Sequence, residues 1–174
     1  MISLAMKVAE IGSHSFLLSA SERGIRHLAF GGWAKENQCL CREAAKKNQV
    51  HIIKENTPLL NQAEEQLRAY FRGELKEFTV PLDMQGTTFQ KLVWRQLEVI
   101  PYGETRSYKD IAAAIGLPKS VRAVGGANNK NPLPIFVPCH RVIGSNGSMV
   151  GYAGGLPLKE ELLQLEKQPE TLVY

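Results

Sequence analysis

Apolar residues in the first thirty positions come in short runs with polar turns between them. Leu4 to Ile11, Ser13 to Ala20 and Gly24 to Phe30 are separated by Gly12-Ser13 and by Ser21-Glu22-Arg23-Gly24. That spacing predicts an antiparallel meander. Gly31-Gly32 ends it. Gln38 to Lys47 then reads as a helix and Val50 to Lys54 as a further strand. Here the period changes. Leu59, Leu60, Ala63, Leu67, Tyr70 and Phe71 recur at three- and four-residue spacing, the mark of an amphipathic helix. Thr57 suits its N-cap, Pro58 suits its first position and Gly73 stops it.

Phe78 to Thr87, with Pro81, Asp83 and Gly86, reads as a connector. The second half is mostly helical. Phe89, Leu92, Val93 and Leu97 form a stripe on a helix from about Thr88 to Val99, which Pro101-Tyr102-Gly103 breaks. Ser107 caps a short helix, with Asp110 placed for a capping box. Gly116-Leu117-Pro118 turns the chain into a second helix, roughly Lys119 to Asn129. Asn131-Pro132-Leu133-Pro134 is too rich in proline for helix and is expected to be extended. Pro138 biases Val137 towards extended geometry as well. Arg141 to Ile143 and Met149 to Tyr152 are expected to pair across the Ser145-Asn146-Gly147 turn. A last helix, about Pro157 to Lys167, is expected to bury Leu158, Leu162 and Leu165, with Glu166 near its end. The plan is α+β. Residues 1–80 form a structural α/β domain with the meander, 81–87 a connector, and 88–174 a helical domain with a helix-turn-helix.

Composition narrows the class. The chain has 174 residues, 44% hydrophobic and 22% charged, as soluble globular proteins do. No apolar run approaches the roughly 20 residues that span a bilayer. The start lacks a secretory pattern, so a cytoplasmic location is expected. The three cysteines are Cys39, Cys41 and Cys139. Cys39 and Cys41 read as packed or surface thiols. His14, His27 and His51 are scattered, so no metal is expected.

The net charge is +4. Between Thr105 and Arg141 stand Arg106, Lys109, Lys119, Arg122, Lys130 and Arg141, with Asp110 as the sole acid. A basic helix pair is the electrostatic footprint of a nucleic-acid binder. Its second helix is slim: Arg122 heads a run containing Ala123, Gly125, Gly126 and Ala127. Glycine inside a helix costs about 1 kcal/mol relative to alanine. Two in succession imply that some backbone comes close, either a packed helix or a bound partner.

Cys139 and His140 follow Pro138. A thiol becomes a nucleophile when it is deprotonated, and histidine assists that. Neighbours on an extended strand point to opposite sides, so a water is expected between the two. Glu166 is a candidate to orient the histidine. The bland alternatives are an inert core thiol, a solvated Glu166, and Tyr108 and Tyr152 as core aromatics.

Val137-Pro138-Cys139-His140-Arg141-Val142 resembles the signature of the O(6)-alkylguanine-DNA alkyltransferases. The resemblance extends through Phe89, Val93-Trp94, Ile100-Pro101, Gly103-Glu104-Thr105, Ser107-Tyr108, Arg122 to Ala127, Asn131-Pro132, Tyr152 with Gly154-Gly155-Leu156, and Lys159-Glu160 to Glu166. It implies a ribonuclease-H-like N-terminal domain and a winged-helix-like C-terminal one. It implies repair of duplex DNA containing O(6)-alkylguanine by a monomer that uses no cofactor. The alkyl group passes irreversibly to Cys139, once per molecule. His140, through a water and oriented by Glu166, takes the thiol proton, and Asn131 holds the network. Tyr108 donates a proton to the leaving base. Arg122 fills the space of the flipped base while Ala123, Gly125, Gly126 and Ala127 line the minor groove. Lys109, Lys119 or Lys130 would meet phosphates, and Arg141 falls among the DNA-binding residues. Tyr152, Val142, Ala153, Gly154 and Gly155 frame the base. Ala153 departs from the serine some members carry, which bears on the range of alkyl groups. A non-enzymatic DNA-binding protein using the same helix pair is the runner-up.

Overall fold

The computed structural model describes residues 2–32, 50–53 and 55–167. The helix expected over Gln38 to Lys47, with Cys39 and Cys41, lies outside the described residues. The chain divides into two compact units. One holds Met1–Gly86 together with Pro132–Phe136, and the other holds Thr87–Asn131 and Val137–Tyr174.

In the first unit, β1 (Ile2–Ile11), β2 (His14–Ser21) and β3 (Gly24–Phe30) form the expected meander. Val8 faces Leu17 across the first pair and Leu18 faces Leu28 across the second. A fourth strand, β4 (Val50–Ile53), adds to the far edge of β1 in parallel, giving the order β3-β2-β1-β4 among the described residues. Helix α1 (Pro58–Phe71) packs against β1, β2 and β3 through Leu60, Ala63, Leu67 and Tyr70. Each of its two fully buried leucines contributes about 1.5–3 kcal/mol of transfer free energy. The Thr57 side chain accepts from the Leu60 N–H, and Gly73, at φ +73°, ends the helix in the left-handed region.

Pro132–Phe136 belongs to this unit although it lies late in the sequence. The Leu28 N–H donates to the Pro132 carbonyl at 2.9 Å. The Phe136 ring stands 4.8 Å from Phe78, which stands 5.3 Å from Tyr70. Ile135 is buried with φ +75°. For a β-branched residue that is a strained conformation. The segment just before Cys139 is therefore not a plain extended connector but is bent and pinned.

The second unit begins with α2 (Thr88–Glu98), closed at its start by a Thr87–Gln90 capping box. Next come β5 (Arg106–Ser107) and α3 (Tyr108–Ala114), with the Ser107–Asp110 capping box in place. Gly116, at φ +75°, makes the turn that a residue with a Cβ would resist. Helix α4 (Val121–Asn129) starts two residues later than expected, because Leu117 to Ser120 closes as a turn instead. The Trp94 indole N–H donates to the Ala127 carbonyl at 2.9 Å, tying α4 to α2.

Two further expectations are corrected. Cys139–Arg141 is a 3-10 turn, not an extended strand. Pro138, at φ −79° and ψ 65°, sits at the centre of an inverse γ-turn closed by the Cys139 N–H on the Val137 carbonyl. The Arg141 N–H then bonds the Pro138 carbonyl. The hairpin between Arg141–Ile143 and Met149–Tyr152 does not form. β6 (Val142–Ile143) pairs in parallel with β5, and the Val150 carbonyl is taken by side chains. Helix α5 (Leu156–Lys167) buries Leu158, Lys159, Leu162, Leu163 and Glu166, while Leu165 is only half-buried.

Candidate active site

Cys139 and His140 are fixed by the 3-10 turn, and α5 packs against that turn. His140 is 0% exposed and Cys139 4%. Glu166, the second-last residue of α5, is 4% exposed and takes three charge-assisted bonds. His140 Nε2–H donates to its Oε1 at 2.7 Å. Arg141 Nε–H donates to Oε2 and Nη2–H to Oε1, each at 2.9 Å. The third Arg141 branch, Nη1–H, donates to the Ile100 carbonyl at 2.6 Å. The guanidinium thus grips the carboxylate as a fork.

This geometry sets the protonation states. Burial works to raise the Glu166 carboxyl, but the hydrogen bonds from His140 and Arg141 outweigh it and hold the group at about 2. Burial lowers His140, against the pull of Glu166, so the imidazole is neutral at neutral pH. A neutral ring that donates from Nε2 to a carboxylate carries its lone pair on Nδ1, which assigns the tautomer from the network. Burial pushes the Cys139 thiol up from 9.0 to about 11. The Asn131 side chain, the Lys159 charge and the backbone N–H groups of Cys139 and His140 all act to lower it. Asn131 is buried and also donates Nδ2–H to the Val137 carbonyl at 2.8 Å.

Tyr108, first residue of α3, donates its hydroxyl to the Val150 carbonyl at 3.1 Å. Burial and the neighbouring Cys139 both raise its phenol. The Tyr152 phenol is raised well above its ordinary value by burial, with Cys139 and Glu166 adding to it. Val142 is buried, Gly154 and Gly155 are half-buried, and Ala153 is exposed. The structure therefore brings Cys139, His140, Glu166, Asn131, Tyr108 and Tyr152 into one neighbourhood.

On the helix pair, Arg122, Ala123 and Gly126 are exposed and Gly125 is half-buried. A Cβ on Gly126 would meet nothing within 4 Å, and one on Gly125 would only touch the Tyr108 ring at 4.0 Å. Packing within the protein does not explain either glycine. Lys109, Lys119 and Lys130 are exposed. Two expected groove or phosphate contacts are corrected. Ala127 is 4% exposed because α4 turns Val124, Ala127 and Asn128 inward, at helical spacing. Arg141 is 6% exposed and bound to Glu166, so it serves the carboxylate and not a phosphate.

Lys159 was not among the expected site residues. It is fully buried, and its ammonium donates to the Val142 carbonyl at 2.6 Å and the Val150 carbonyl at 3.1 Å. The signal was present in the helical period: Lys159, Leu162, Leu163 and Glu166 share one stripe, so two charged residues lie on a buried face.

Two family profiles match the chain. One, described as the 6-O-methylguanine DNA methyltransferase ribonuclease-like domain, covers residues 14–84, and the other, the DNA-binding domain of the same proteins, covers residues 88–168. A methylated-DNA–protein-cysteine methyltransferase of Methanosarcina barkeri is 47% identical over 87% of this chain and 89% of its own. The chain belongs to the methylated-DNA–protein-cysteine methyltransferase family. A constitutive member from Bacillus subtilis is 60% identical over 64% of this chain and 68% of its own. Among solved structures, the Mycobacterium tuberculosis OGT in complex with DNA superposes with a TM-score of 0.75 at 41% identity, covering 95% of this chain and 92% of that one. The ribonuclease-like match falls within the first unit, and the DNA-binding match covers most of the second together with Pro132–Phe136 of the first. No described helix is long and apolar enough to cross a membrane.

Proposed function

We propose that this protein repairs duplex DNA by moving the alkyl group of O(6)-alkylguanine onto Cys139. The observation that carries the reading is the buried thiol beside a neutral histidine whose tautomer Glu166 fixes. The slim α4 face enters the minor groove, Arg122 occupies the vacated stack, and Lys109, Lys119 and Lys130 meet phosphates, which carry no sequence information. Extrusion of the base costs a few kcal/mol. The Cys139 thiol gives its proton, through a water, to His140 Nδ1. The sulfur attacks the alkyl carbon, the carbon–O(6) bond breaks, and its electron pair leaves with the base. A proton from the Tyr108 hydroxyl completes neutral guanine, and the proton held by His140 returns to Tyr108 through solvent. A thioether and guanine result, with no external oxidant or cofactor. Asn131 fixes the turn, while Tyr152, Val142 and the Ala153-Gly154-Gly155 loop frame the base. One chain carries every group used, which supports action as a monomer.

Incubation with a duplex carrying one O(6)-methylguanine adds one methyl mass to the Cys139 peptide. An intact mass that stays unchanged would sink the reading. The glycine pair gives a second expected result. Gly126→Ala raises helix stability by up to about 1 kcal/mol, because the added methyl meets nothing in the free protein. The same methyl weakens duplex binding if backbone approaches the groove there. A melting curve and fluorescence anisotropy on labelled duplex read the two effects; a more stable variant with unchanged affinity removes α4 from the interface.

A further inference from the structure

Lys159 sits on the buried stripe of α5 with no exposed surface. Burying an ammonium is costly unless it is paired. Its hydrogen-bond partners are two backbone carbonyls, and no carboxylate is in ion-pair contact with it among the described residues. The carbonyls have particular places. Val142 directly follows the turn that holds Cys139, and Val150 opens the loop that carries Tyr152. The Val150 carbonyl also accepts the Tyr108 hydroxyl.

We propose that Lys159 is a positioning residue for Cys139: clamped between the Val142 and Val150 carbonyls, its ammonium is the fixed positive charge that the sulfur faces as it loses its proton. The idea rests on Cys139 being the alkyl acceptor. It gives a buried, unpaired cation the counter-charge it lacks in the resting protein, a thiolate that exists only transiently. Tyr108 on α3 shares the Val150 carbonyl with the ammonium, and Cys139 and His140 on the turn both feel its charge. Burial lowers the ammonium below its ordinary value and Cys139 works against that, favouring the charged form, while Lys159 in turn opposes protonation of His140.

The test separates charge from packing. Lys159→Met keeps the length of the side chain and removes its charge, and Lys159→Arg keeps the charge. Methyl transfer from a methylguanine duplex is expected to slow about ten- to a hundredfold in Lys159→Met, the worth of one charge-assisted hydrogen bond, and to recover in part in Lys159→Arg. Without DNA, the rate of Cys139 alkylation by iodoacetamide at pH 9 reports the thiolate fraction. It is expected to fall several-fold in Lys159→Met. A pocket that merely loosened would expose the thiol and speed that reaction, so an equal or faster rate overturns the proposal. Should Lys159→Met fail to fold, Lys159→Gln removes the same charge, and an iodoacetamide rate equal to or faster than that of the parent overturns the proposal in that variant too. Failure of the parent protein itself to transfer would strike the alkyltransferase reading, whereas the iodoacetamide rates need no DNA.

Discussion

Cys139→Ala abolishes methyl transfer outright and leaves duplex affinity near that of the parent protein. The two halves of this result have different causes. Transfer ends because the bond that forms is to this sulfur, and no neighbouring group can replace it. Affinity survives because Cys139 is 4% exposed, so its sulfur is not a contact for phosphate. The substitution removes one buried atom and costs stability on the order of 1 kcal/mol. Mass spectrometry of the Cys139 peptide and anisotropy on a methylguanine duplex measure the two effects. Methyl groups appearing on Cys39 or Cys41 in the variant would move the acceptor role elsewhere. The resting thiol gives the result further content. With the thiol pushed to about 11, roughly one molecule in several thousand carries a thiolate near pH 7.5. A protein that spends its sulfur once benefits from a thiol that solution electrophiles barely touch. Activation then depends on the arrival of the base, which supplies the alkyl carbon and expels water from the pocket.

Much of the fold was legible because its signals are local. Thr57-Pro58, the Ser107–Asp110 capping box and the Gly116 turn each act within four residues, and each stands where expected. The meander follows from short apolar runs and the turn residues between them. What failed depends on distant partners. Val142–Ile143 pairs with β5, more than thirty residues upstream, and nothing near Val142 announces that. Pro138 was taken to keep the chain extended, yet the same fixed φ serves an inverse γ-turn equally well. The positive φ of Ile135 has no local cause at all. In the site, the types were readable and the burial was not. Its positive charge groups Arg141 with the DNA-binding residues, but a guanidinium fits a carboxylate as well, and Glu166 lies a helix away in sequence. Ala127 was grouped with Gly126 as a neighbour in a slim run. Helical phase separates them by about 100°, which turns one to the core and the other outward. Lys159 needed the same phase argument, applied to α5.

Glu166→Gln is expected to damage stability and transfer together, and the pH dependence shows why. In the parent, one carboxylate neutralises the buried Arg141 fork and orients His140. Glutamine keeps the shape and an oxygen acceptor but leaves the guanidinium as an uncompensated buried charge. Breaking such a pair from one side costs about 3–5 kcal/mol, a melting shift on the order of ten degrees for a chain of this length. The amide also loses the charge that selects the Nε2–H tautomer, so His140 no longer presents Nδ1 to the thiol proton, and transfer falls steeply. The acid limb separates this electrostatic account from simple loss of packing. The Glu166 carboxyl stands at 4.5 when unfolded and about 2 when folded. A depressed carboxyl contributes stability that is fully present above the unfolded value and is lost as pH falls through 4.5 towards 2. The shift corresponds to about 3 kcal/mol. His140 acts in the same direction at a higher pH: its folded value lies below 6.5, so stability declines as the unfolded imidazole takes up its proton. Denaturant titrations between pH 7 and pH 2.5 should therefore show the parent losing stability in two stages, first at the histidine and then at the carboxylate. The Gln variant lacks the Glu166 share of the second stage, while Asp83 and Glu64, also held below their ordinary values, contribute to it equally in both proteins, so the gap between the two narrows below pH 4.5. A gap that stays constant down to pH 2.5 would mean that Glu166 contributes shape and not charge, and the fixed tautomer of His140 would lose its cause.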